Sequence, residues 1–66
     1  MSLKKRTIRL ARHNTSVALE PEFWDAVEKL ATRRGMSLAQ LVAEVDAART
    51  GGLASALRVA ALKAIF

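Results

Sequence analysis

The chain has 66 residues, a formal net charge of +5, one histidine and no cysteine. That length implies one small domain, whose core rarely supplies more than about 3–5 kcal/mol unaided. The composition excludes disulfides and a multi-ligand metal site, so pairing with a second copy is the expected source of extra burial. Acid–base or nucleophilic catalysis needs a convergent set of groups, and a lone His13 beside carboxylates already explained by helix positions does not form one. The chain is therefore read as no enzyme, with no cofactor and no metal.

Residues 1–12 carry Lys4, Lys5, Arg6, Arg9 and Arg12 and no acid, whereas every acidic residue lies between Glu20 and Asp46. A basic block of this kind suits a polyanion, and these five side chains are the candidate nucleic-acid phosphate contacts. The first apolar run is broken by arginines, so no signal peptide is read, and no run approaches the roughly 20 apolar residues of a membrane span. A cytoplasmic protein with no membrane partner is expected. Thr7-Ile8-Arg9-Leu10 alternates, and Lys4–Arg12 is read as a basic arm or an extra edge strand, ordered on meeting phosphate.

Asn14–Glu20 is the principal strand. Val17 and Leu19 fall on one face, while Asn14, Ser16 and Ala18 fall on the other. A single strand of about six residues leaves its edge groups unpaired and needs a partner. Its own copy across a two-fold axis is the expected one, so that folding and dimerisation are a single event.

Pro21 opens a helix to about Arg34. Its missing N–H would have had no partner in the first turn, and Glu20, Glu22 and Asp25 complement the positive end of the helix dipole. Phe23, Val27 and Leu30 follow helical spacing, with Trp24 on the flank as a core residue rather than a platform for a base, and Gly35 ends the helix. Ser37-Leu38-Ala39-Gln40 is a capping box that starts a second helix, in which Leu38, Leu41, Val42 and Val45 form a stripe up to about Ala48. Together with Val17 and Leu19, these residues make up the expected dimer core.

Gly51-Gly52 marks a turn. Leu53–Phe66 then reads as a third helix, apolar nearly all round, with Leu53, Leu57, Ala60, Ala61 and Ala64 on one side and Val59, Leu62 and Phe66 on the other. Such a helix either packs on its own dimer or offers Val59, Leu62 and Phe66 to a protein partner. The domain boundaries read from these patterns are a basic arm over 1–12, a strand and two helices over 13–48, and a turn with a C-terminal helix over 49–66.

The run Thr-Ser-Val-Ala-Leu-Glu-Pro-Glu-Phe-Trp, followed by Arg-Gly-Met-Ser-Leu-Ala-Gln-Leu-Val, resembles the ribbon-helix-helix domain of Arc-, MetJ- and CopG-like repressors. It resembles in particular a short bacterial subgroup with a Leu-Ala-Ser-Ala-Leu-Arg-Val tail, here Leu53–Val59. The resemblance implies a mainly α fold with one short strand per chain, an intertwined homodimer joined by an intermolecular two-stranded antiparallel ribbon, and an added third helix. It also implies a regulator of transcription, a repressor, whose ribbon enters the major groove of double-stranded operator DNA. Carried over by position, Asn14, Ser16 and Ala18 face base edges, while Met36, Ser37 and Leu38 hold phosphate through backbone N–H groups. Ala18 departs from the polar or basic residue common there, which leaves direct readout thin and gives Arg12 and the arm affinity rather than sequence choice. Stacking of dimers along DNA into a higher oligomer is compatible with the resemblance. The competing reading is a protein-interaction or oligomerisation module, including an antitoxin-like role, that uses the third helix.

Overall fold

The computed structural model describes residues 2–65. Two strands, β1 (Lys4–Arg9) and β2 (Asn14–Leu19), precede three helices, α1 (Pro21–Arg33), α2 (Leu38–Ala48) and α3 (Leu53–Ile65). The helix limits follow their local chemistry. Pro21 occupies the first turn of α1, and Gly35 takes φ 66°, the left-handed conformation that lets the chain leave the helix. Both halves of the capping box form at α2. The Gln40 N–H donates to Ser37 Oγ at 3.1 Å, and the Ser37 N–H donates to Gln40 Oε1 at 2.8 Å.

The ribbon differs from the expectation of one strand per chain. β2 finds its antiparallel partner in β1 of the same chain, with Lys4 opposite Leu19, Arg6 opposite Val17 and Ile8 opposite Thr15. Of the two readings of this basic block, an arm or an extra edge strand, the strand is what forms, because alternation places Ile8 on the inner face, buried in one cluster with Val17 and Leu19. The chain reverses over Ala11 and Arg12, where the Leu10 N–H donates to the His13 carbonyl at 2.9 Å.

A core closed within one chain follows. Leu19, Val27, Leu41, Val42 and Leu57 are fully buried, and Ile8, Val17, Trp24, Leu30, Ala31 and Ala61 complete the cluster. Phe23, Leu38 and Val45, expected in a dimer core, are half-buried against it. Trp24 is 3% exposed, and its indole N–H donates to the Lys4 carbonyl at 2.7 Å, which ties α1 to the start of β1. The third helix adds to this core, because Leu57 and Ala61 bury one side of α3 in the cluster.

Candidate nucleic-acid interface

Alternation along both strands sorts the ribbon into two faces. The inner face seals the core. The outer face carries three cross-strand pairs, Arg9 with Asn14, Thr7 with Ser16 and Lys5 with Ala18. Lys5, Thr7, Arg9, Asn14 and Ser16 are exposed and Ala18 is half-buried. The Thr7 and Ser16 hydroxyl oxygens lie 3.4 Å apart at the centre of the face. Two cations, an amide and two hydroxyls therefore project from one side of a two-stranded ribbon, the shape and chemistry that a major groove admits.

The basic residues of the N-terminal block do not share one role. Arg6 lies on the inner side, its Nη1 3.0 Å from Glu28 Oε1 and its guanidinium 4.9 Å from the centroid of the Trp24 ring. That ion pair and cation–π contact engage Arg6 within the fold, on the face opposite Lys5 and Arg9. Lys4 shares the inner-face parity at the end of the ribbon. Lys5 and Arg9 stand on the outer face and Arg12 is exposed at the turn; among the described residues, none of these three forms an ion pair with a carboxylate. Four carboxylates are instead taken by other cations, Glu28 by Arg6, Glu44 by Arg34, Asp46 by Arg49 and Glu20 by Arg58.

The start of α2 also departs from expectation in detail. The Met36 N–H donates to the Ala31 carbonyl at 2.9 Å, and the Ser37 N–H is held by Gln40, so neither amide is available to a phosphate. The next two amides, Leu38 and Ala39, carry the unsatisfied donors of the first turn. Ala39 lies outside the expected set, because a capping box signals the hydroxyl it engages more plainly than the amide it consumes. No acid stands in this first turn, in contrast to Glu22 in α1, so the positive end of α2 suits an anion.

Backbone geometry decides which ribbon edge can pair further. Since Leu10 donates to His13, the hydrogen-bonded pairs of the ladder are those in step with it, through Ile8–Thr15 to Lys4–Leu19. The N–H and C=O groups of Asn14, Ser16 and Ala18 then point away from β1, to an edge with no strand beside it among the described residues. Those of Lys5, Thr7 and Arg9 point to the opposite edge.

On the far side of the molecule, α3 is anchored by Leu57 and Ala61 and by Arg58, whose Nε donates to Glu20 Oε1 at 2.9 Å. This hydrogen bond, and then the backbone N–H of Glu20 itself, hold the Glu20 carboxyl below its usual range. The outer side of α3 exposes Val59 (46%) and Leu62 (45%), while Phe66 lies outside the described residues. No helix among the described residues is long and apolar enough to cross a membrane.

Comparison with known proteins agrees with this arrangement. No curated protein matches the chain. The solved structure of an uncharacterized protein from Bordetella pertussis Tohama I is 34% identical, with a TM-score of 0.79 over 97% of this chain and 56% of that one. The present chain thus spans little more than half the length of that neighbour. A family model described as a ribbon-helix-helix domain matches residues 3–65, which takes in both strands and all three helices. Modules of this kind are in general DNA-binding transcription regulators rather than enzymes. The chain belongs to the ribbon-helix-helix domain family.

Proposed function

We propose that the chain is a sequence-specific repressor that binds double-stranded operator DNA as a homodimer in the bacterial cytoplasm. The observation that carries this reading is the outer ribbon face, where Asn14 and Ser16 stand exposed among the cations Lys5 and Arg9, which form no ion pair among the described residues. Asn14 suits a bidentate contact with adenine N6 and N7, Ser16 can donate or accept, and the Ala18 methyl suits the methyl of thymine. The Leu38 and Ala39 amides at the start of α2, with Arg12, bind phosphate and fix the register.

Two copies join along the free edge of β2. A two-fold axis at Ser16 sets Ser16 against Ser16 and Asn14 against Ala18 of the second copy, which brings no like charges together. The same operation on the β1 edge would set Lys5 directly against Arg9 twice, a destabilising juxtaposition. The charged β1 edge instead limits further strand addition. The sheet of the dimer therefore has four strands in the order β1, β2, β2 and β1, with the two β2 strands at its centre.

Selection from random-sequence duplex DNA tests the reading. A two-fold symmetric motif should be enriched, and enrichment of no sequence would leave only nonspecific phosphate binding. Exposed Val59 and Leu62 favour a second role, in which α3 docks a protein partner in an antitoxin-like pair. Loss of that partner on changing Leu62 to Ser, with DNA binding kept, would establish it.

A further inference from the structure

We infer that the β1 strands of the dimer are clamps on the two walls of the major groove, holding phosphates through Lys5 and Arg9 while the central β2 strands read bases. The inference rests on the DNA-binding reading above and concerns the division of work within that surface. Neighbouring strands lie about 4.8 Å apart, so in a four-stranded sheet the two β1 strands are separated by three spacings, about 14 Å. The major groove is about 12 Å wide. The β2 pair fits inside it, whereas each β1 falls over a phosphate ridge.

The side chains that β1 directs to this face match that position. Lys5 and Arg9 flank Thr7, share the outer face with Asn14 and Ser16, and form no ion pair among the described residues. Arg6, between them in sequence, faces the other way and is held by Glu28 and Trp24. The dimer then sets four cations on the groove walls, two on each side, and Arg6 supplies none of them. Affinity and sequence choice reside on different strands of one sheet.

The test measures how binding to a short mixed-sequence duplex, and to the duplex selected by the unmodified protein, depends on salt between about 50 and 200 mM. Removing four phosphate contacts per dimer with Lys5→Gln and Arg9→Gln should lower the slope of log K against log salt by about 3–4 and leave the selected motif unchanged. Arg9→Lys should retain its share of the slope, because a phosphate accepts either cation. Arg6→Gln should leave the slope unaltered. Trp24 fluorescence checks that each variant is folded.

A changed motif with an unaltered slope in the Lys5/Arg9 variant would overturn the clamp and place β1 on the bases. An unaltered slope and motif would also overturn it, placing β1 away from DNA. Failure of the unmodified protein to bind either duplex would instead remove the DNA-binding reading on which the clamp rests.

Discussion

Arg58 donates through Nε to Glu20 at 2.9 Å, so the third helix is fastened to the residue at which the ribbon ends and α1 begins. Arg58 also lies 5.9 Å from the centroid of the Phe23 ring, in the first turn of α1. Because this pairing keeps the Glu20 carboxyl below its ordinary value of 4.5, the proton binds more readily to the unfolded chain than to the folded one. The stabilisation is present above the unfolded value and is lost as pH falls through the lower, folded value. Thermal melts from neutral pH into that acid range should show the unmodified chain losing stability more steeply than Arg58→Ala. Parallel pH profiles would show that the pair contributes nothing.

The two sides of α3 make opposite predictions. Leu57 is fully buried, so Leu57→Ala should reduce stability to denaturant by about 2–5 kcal/mol, the cost of lost transfer energy and a cavity. Leu62 is exposed, and Leu62→Ser should stay within about 0.5 kcal/mol of the unmodified chain. Equal and small effects would mean that α3 is an appendage rather than part of the core.

Pairing through β2 can be separated from folding. The Ser16 N–H points to the free edge, so Ser16→Pro removes no backbone hydrogen bond within the chain, only the exposed 3.4 Å hydroxyl contact with Thr7, but blocks a strand from adding there. Sedimentation should find Ser16→Pro monomeric with the helical circular dichroism of the unmodified chain. Thr7→Pro, on the β1 edge, should remain dimeric. A dimeric Ser16→Pro protein would place the interface elsewhere.

The helices were legible because their signals are local. Pro21, Gly35 and the Ser37–Gln40 box each act within one turn, and they set limits that the structure reproduces within about a residue. The hairpin was not legible, because two-residue reversals usually announce themselves with Asn-Gly or Asp-Gly at positive φ. Ala11 and Arg12 offer no such signal, and neither adopts positive φ. The alternation through Ile8 was visible, but with Leu10 about a dozen residues from the first helix it left Lys4–Arg12 as either an arm or an extra edge strand, and the strand is what forms.

The candidate interface was half legible for the same reason. Period-two patterning placed Asn14, Ser16 and Ala18 on the outer face without reference to a partner. The same alternation sets Arg6 on the face opposite Lys5 and Arg9, but only once Lys4–Arg9 is a strand, and the Glu28 and Trp24 side chains that engage Arg6 lie some twenty residues away in the chain. The third helix posed a similar problem. Its two apolar sides look alike in sequence, and only packing distinguishes buried Leu57 and Ala61 from exposed Val59 and Leu62.

Sequence choice by the outer face of β2 is the central claim, and selection from random duplex DNA with two proteins in parallel tests it most directly. The unmodified chain should enrich a two-fold symmetric motif. The Asn14→Ala, Ser16→Ala variant should bind with the same salt dependence and lose that preference, since each good base contact discriminates by about 1–3 kcal/mol. Enrichment of the same motif by the variant would contradict the account, because sequence would then be read by some surface other than the ribbon.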